Sequence, residues 1–423
     1  MKTPGPAALV ALVVLGTLGP LLSSCSEDSA PTLVLQIEEI PSPARGWSAQ
    51  PHLAPSESGV VLSWLETRAD ADGRETTLWM DRWSPTGWSG PRAVAHGSDL
   101  LVNWADYPSV IPLGDEALVA HWLVRGGRGG EDYGVRVAAS RDGGRSWSEP
   151  WTPHEDRSAT AHGFATLFPL NGGFGVVWLD GRGQAGNPEG DVSLWFREMA
   201  TEGTTAPGVS ALTSIPEVML DGRTCECCQT DAAVTADGPL VAYRDRSPAE
   251  IRDIRVIRRV GERWQDPTLV HEDGWLFPAC PINGPAVDAH ERRVAVAWFT
   301  AADETPRIRL AFSTDAGASF AAPVRIDDGS PSGRVDVVLL TDGSAVVSWL
   351  ERVEGGTEVR ARRVSPSGGR SAATRIAATS GGQASGFPQM VEGPGDDLVF
   401  AWTDSRSGES RIRLARARPG GPP

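Results

Sequence analysis

Three of the five cysteines fall within four positions of the segment TCECCQTD, residues 224–231, and Cys280 is the next cysteine along the chain. Thiols at this density have three uses. They bridge in pairs, hold a soft ion such as Cu(I) or Zn, or exchange electrons as a redox pair. Cys227 and Cys228 are sequence neighbours, and a bond between neighbours demands a distorted peptide. The scheme favoured by that constraint is two bridges among Cys225, Cys227, Cys228 and Cys280, one of them joining the 224–231 segment to Cys280. C-x-C-C is not a zinc-ribbon spacing, so no cofactor is expected, with Cu(I) or Zn on the four sulfurs as the competing reading.

A second set of residues carries charge. Arg182, Arg244, Arg246, Arg334, Arg352 and Arg406 recur beside Asp106, Asp180, Asp245, Asp336, Glu351 and Asp404, with His52 and His162 nearby in the repeat described below. Planar guanidinium forks grip a carboxylate bidentately, and an adjacent carboxylate can move protons. On that reading Arg182, Arg244, Arg246, Arg334, His162 and Asp404 contact an anionic ligand, while Asp245 and Asp106 are the acid/base candidates. The competing reading is that these charges pair with one another across neighbouring elements. The stretch YRDRSPAEIRDIRVIRR, 243–259, poses that choice most sharply, with Arg and Asp alternating on both stems of one loop.

The elements that must position these residues repeat seven times. An apolar run ends in an aromatic residue at Trp64, Trp122, Trp178, Tyr243, Trp298, Trp349 and Trp402, spaced by 58, 56, 65, 55, 51 and 53 residues. Each run alternates with period two and is apolar on both faces, as a strand sandwiched between neighbouring sheets must be. Turn signals precede each run, and further short strands flank it. Four antiparallel strands per unit, repeated radially, predict an all-β fold: a β-propeller of seven blades, with six as the alternative. Helices are excluded because Gly and Pro interrupt every candidate segment. The last unit stops at its third strand, SRIRLARAR (410–418), and TLVLQIEEI (32–40) is the predicted fourth. Closure by that strand would remove exposed sheet edges.

Two units contain SRDGGRSW (140–147) and STDAGASF (313–320), which fit S-x-D-x-G-x-x-[W/F]. This resembles the Asp-box of the BNR-repeat, sialidase-like β-propellers. The resemblance implies that Ser140, Asp142, Gly144 and Trp147, and likewise Ser313, Asp315, Gly317 and Phe320, build tight hairpins on the face away from the ligand. Aspartate would accept backbone amides, glycine would supply a positive φ, and the aromatic ring would pack beneath. The resemblance further implies recognition of an anionic glycan, with hydrolysis of the exo-alpha-sialidase type if the chain is an enzyme and Tyr107 as the candidate nucleophile. The F/Y-R-I-P segment of that family is absent, and seven blades depart from its six.

In such a propeller the starts of the innermost strands ring one end of a central channel. The segments there are QPHL (50–53), NWADYP (103–108), TAHGF (160–164), TCECCQTD, ACPINGP (279–285), GRVD (333–336) and GFPQ (386–389). Cys225 and Cys280 each lie 18 residues before their unit's aromatic residue, Tyr243 and Trp298, and so occupy equivalent places in adjacent blades.

The N-terminus predicts the compartment. Lys2, the apolar run 7–22 and the lipobox-like LSSC (22–25) predict a signal peptide over 1–24, lipidation at Cys25 and a tether over 25–31. The propeller would span 32–418 with a tail at 419–423, lipid-anchored in a bacterial cell envelope and monomeric. A net charge of −15 argues against nucleic acid as a partner. Two further readings stand beside glycan recognition: a non-catalytic envelope scaffold, and a thiolate metal-handling protein.

Overall fold

The computed structural model describes residues 35–70, 73–127, 129, 132–200 and 213–419, together with Met1, Lys2 and Gly5. The rest of the predicted signal peptide, Cys25, the tether and residues 420–423 lie outside the described residues.

Seven antiparallel sheets follow one another along the chain. Their innermost strands are Ser48–Ser56, Ser109–Pro112, His162–Leu170, Asp231–Thr235, Ala286–His290, Pro331–Leu339 and Gln389–Glu392. Each packs against the next, and the seventh packs against the first, which closes the ring. The seventh sheet takes its outer strand from the other end of the chain, as the sequence predicts: Leu35–Ile40 pairs antiparallel with Arg411–Pro419. The second blade departs from the pattern. Its fourth strand is reduced to a single bridge between Val137 and Trp151, made by two backbone bonds of 2.9 and 3.0 Å.

Every second strand is buried on both faces; Gly173–Asp180 and Leu398–Asp404 have no exposed position. Trp64, Trp178, Trp298 and Trp349 are fully buried, each removing on the order of 200 Å² from water. A buried indole N–H needs an acceptor. Three of these indoles find one two residues along their own strand, where period two returns a side chain to the same face. Trp64 donates to Glu66 at 3.0 Å, Trp178 to Asp180 at 2.8 Å and Trp349 to Glu351 at 2.6 Å. Asp180 and Glu351, grouped with the rim acids on sequence grounds, thus satisfy the core.

Neighbouring blades are fastened by side chains that reach the next innermost strand. Asp106 accepts the Phe164 amide at 2.8 Å, Asp231 that of Val287 at 2.7 Å, Asp288 that of Leu339 at 2.7 Å, and Asp336 that of Met390 at 2.6 Å. Between the third and fourth blades threonines replace the aspartate: Thr166 and Thr230 share a 2.8 Å bond.

Both Asp-box hairpins have the expected construction. Asp142 accepts the amides of Arg145 and Ser146 and the Ser146 hydroxyl, and Gly144 stands at φ +87°. Asp315 likewise accepts the Ser319 amide and hydroxyl, with Gly317 at φ +81°. Trp147 and Phe320 pack against the cores of their own blades.

Candidate functional site

The innermost strands enclose a central cavity of about 390 Å³. His52, Asp106, Tyr107, Asp231, Asp336 and Phe387 are among its lining residues. The fastening aspartates are therefore also channel carboxyls. Burial raises Asp106 and Asp231 to about 7 and Asp288 to about 6, and pushes Asp336 well up. Burial, joined by the charges of Asp231 and Asp336, also pushes the Tyr107 phenol above its ordinary range. His52, with Nδ1 buried and unbonded, is lowered by burial to about 4, and burial lowers His121 to about 3.

At the mouth of this cavity the backbone is strained in a repeated way. Gln50, Phe164, Ile282 and Arg334 all have positive φ, between 49° and 57°, at or just before the innermost strands. Such non-glycine residues cost roughly 1–3 kcal/mol each and persist only where their surroundings hold them. The preceding blade holds three of them by capturing the strained residue's amide. Gln50 N–H donates to Thr403 Oγ1 at 3.3 Å, Phe164 N–H to Asp106 at 2.8 Å, and Arg334 N–H to Asn283 Oδ1 at 2.9 Å.

Arg334 is the arginine that this geometry leaves available. Its guanidinium lies 4.9 Å from the Trp104 ring centroid and 5.6 Å from that of Phe387, and these two rings stack at 6.2 Å. It donates to Ser385 Oγ and, at 2.9 Å, to the Gly386 carbonyl. Among the described residues no carboxylate pairs with it, and burial alone pulls it down to about 10. Tyr107 approaches the same Phe387 ring at 5.9 Å, so Arg334, Trp104, Phe387 and Tyr107 share one wall.

The other predicted ligand contacts have protein partners. Arg182 pairs with Asp180 and Glu217, both at 2.7 Å, and stacks 3.7 Å from the Trp195 centroid. Arg246 and Arg252 share Glu226 and Glu250, and Arg223 joins them at Glu250. Asp404 holds Arg406 at 2.8 Å, and Asp245 holds Arg255 at 2.7 Å. His162 lies between Asp156 at 3.0 Å and Asp180 at 3.5 Å, with the His154 ring stacked 4.0 Å away. Arg244 is fully buried and donates to the carbonyls of Asn283, Arg252 and Phe299, with Trp275 at 4.9 Å. Of the acid/base and nucleophile candidates, Asp106 and Tyr107 meet in the cavity and Asp245 does not line it.

Sequence reasoning passed over Trp104, Phe387 and Asn283. Trp104 and Phe387 stand in NWADYP and GFPQ, and an aromatic residue at such a position outside the regular core series was the available signal.

The cysteines converge beside this mouth. Cys227 is bridged to Cys280, with Cα atoms 6.1 Å apart, the link between adjacent blades expected from the sequence. Cys225 and Cys228 are buried and unbridged, and the sulfurs of Cys225, Cys227 and Cys228 lie within 4.8 Å of one another. Burial pushes the Cys225 thiol well up. Cys228 is desolvated too, but its hydrogen bond with Cys225 and the Arg244 charge hold it below the ordinary thiol value.

No family model and no curated protein matches the chain. Solved structures do. The endosialidase of phage phi92 is similar at 9% identity, covering 92% of this chain and 70% of its own, with a TM-score of 0.48. The polysaccharide lyase Uly1 is similar at 14% identity, covering 89% and 91%, with a TM-score of 0.49. An alpha-L-arabinofuranosidase from Fusarium graminearum is similar at 13% identity, covering 92% and 98%, with a TM-score of 0.46. At these identities the likeness is one of fold alone.

Proposed function

We propose that the chain recognises an anionic saccharide, one bearing a carboxylate, at the Arg334 mouth of the central channel. The observation that carries this reading is a guanidinium without a carboxylate partner, set above two stacked aromatic rings on a strained but firmly held backbone. A planar fork suits a carboxylate, and an aromatic floor suits the apolar face of a sugar ring. The remaining candidate arginines spend their charge or their donors on the protein itself.

Hydrolysis at the same mouth is the second reading, favoured by one observation. Asp106, raised by burial to about 7, lines the cavity beside Tyr107 and would be available as a proton donor near neutrality. Against it, one oxygen of Asp106 is committed to the Phe164 amide, and the raised Tyr107 phenol resists becoming a nucleophile. Binding is therefore the reading adopted. The lipobox-like LSSC at 22–25 supports reading the protein as exported, lipidated at Cys25 and held at a bacterial envelope.

Calorimetric titration with sialosides, uronate oligosaccharides and their neutral counterparts tests the binding reading. Wild-type protein is expected to prefer an acidic member, and Arg334→Met to lose that preference. Equal binding of acidic and neutral sugars, or an unaltered Arg334→Met, would sink it.

A further inference from the structure

Saccharide recognition at Arg334 leaves the unbridged pair Cys225 and Cys228 unused. Cys225 and Cys228 are 1% and 2% exposed, while Cys280 of the neighbouring bridge is exposed at the surface. The bridge therefore lies on the solvent side of the pair. The two buried sulfurs lie within 4.8 Å of each other.

Arg244 contributes a fully buried cation whose hydrogen bonds all go to backbone carbonyls. Asp253 senses its charge but accepts the amides of Gly274 and Trp275, at 3.0 and 3.1 Å, and among the described residues no carboxylate makes an ion pair with Arg244. Arg252 stands on the same side with Glu226 and Glu250 as its partners. A buried cation without a direct ion pair is costly. Two thiols, or a disulfide between them, would carry no charge and would leave Arg244 without an adjoining anion.

We infer that Cys225 and Cys228 form a two-coordinate site for a soft monovalent cation, Cu(I). Binding balances as one Cu(I) taken up, two thiol protons released and a bis-thiolate complex of net charge −1 formed, which sets an anion beside the unpaired Arg244. Soft thiolates select such an ion. A divalent ion fits less well on two grounds. With two thiolates it would be neutral beside the guanidinium, and zinc would require further ligands that bridged Cys227 does not supply. Glu226 is held by Arg246 and Arg252, and His162 by Asp156 and Asp180, so neither is free to complete a tetrahedral shell.

The test uses the detergent-solubilised full chain, mildly reduced under anaerobic conditions and titrated with Cu(I) against the chelator bathocuproine disulfonate. One Cu(I) per chain is expected to be retained, with two sulfur scatterers at the metal by X-ray absorption. Cys225→Ser and Cys228→Ser, checked for folding by circular dichroism, should each retain none, and the Cys227→Ser/Cys280→Ser double variant should still retain one. X-ray absorption on the unaltered chain keeps the test valid if a serine variant fails to fold. Three results would overturn the assignment. The first is a Cys225–Cys228 disulfide in the isolated protein with no Cu(I) retained after reduction. The second is Zn(II) held in preference to Cu(I). The third is loss of Cu(I) from the Cys227→Ser/Cys280→Ser variant, which would place the ion on more than two sulfurs.

Discussion

A residue kept for binding at the expense of the fold should reveal itself by the sign of its substitution, and Arg334 is the place to look. Burial lowers its guanidinium by more than two pH units from the ordinary arginine value, to about 10. At 1.36 kcal/mol for each factor of ten in proton affinity, the charged form costs the native state roughly 3 kcal/mol. Below about pH 10 the group is charged in both states and the cost is present in full; it is relieved only as pH climbs above that value. Against this stand its two hydrogen bonds, each worth about 1 kcal/mol, and its contacts with Trp104 and Phe387, about 0.5–1 kcal/mol apiece. The opposing terms nearly cancel. Arg334→Met, which keeps the apolar stem, is therefore expected to unfold within about 1 kcal/mol of wild type in urea at pH 7, followed by tryptophan fluorescence. The same change at Arg244 leaves three buried carbonyls unpaired and should cost about 3 kcal/mol or more. Acidic-sugar binding should vanish only with Arg334→Met among well-folded variants. An Arg334→Met protein destabilised by about 3 kcal/mol that still binds would refute the assignment of Arg334 as the available cation.

Other expectations follow from geometry already described. Thermal stability should change little between about pH 4 and 6.5, where two sets of buried groups oppose each other, and fall as pH rises from there through 7. His52 and His154, lowered by burial to about 4 and 3, contribute stability that fades as pH falls below 6.5. Asp106 and Asp231, raised to about 7, contribute stability that is lost as pH rises from about 4 through 7. Asp231→Asn should flatten the alkaline limb in a scanning-calorimetry series, and an unchanged limb would count against the buried-carboxyl account. Gly333→Ala should lower stability by about 2–4 kcal/mol and weaken ligand binding, because Gly333 has φ +84° and a Cβ there would meet Asn283 Oδ1 at 2.0 Å. Asp142→Ala should lower Tm by roughly 1–3 °C and leave binding untouched, since the Asp-box hairpin stands at the far end of its blade from the mouth. A binding defect in that variant would place the ligand elsewhere.

How far the sequence could be read depended on whether a feature was periodic. The seven aromatic residues recur at nearly constant spacing because each blade buries one strand on both faces, so blade number and the closing strand were legible. The Asp-boxes were legible for the same reason, as local hairpins whose bonds span four residues. Pairing among the charges was not. Whether Arg182, Arg246 or Arg334 is free depends on Glu217, Glu226, Glu250 and Asn283, which arrive from loops of unrelated length and carry no periodic mark. One local signal was available and unused. In Trp64-x-Glu66, Trp178-x-Asp180 and Trp349-x-Glu351, period two places an acid beside a buried indole, which would have removed Asp180 and Glu351 from the ligand candidates.

The borrowed outer strand also governs when the molecule can exist at all. Leu35 pairs with Pro419 and Ile40 with Leu414, so this N-terminal strand meets its partner only when the end of the ring has been made. Contacts so distant in sequence are the slowest to form. Until they do, the seventh blade presents a bare edge, which is the form most prone to pairing with another chain. Loss of a few C-terminal residues would therefore do more than trim a tail. It would leave a finished-looking ring with an open seam, prone to aggregate while six of its blades were intact.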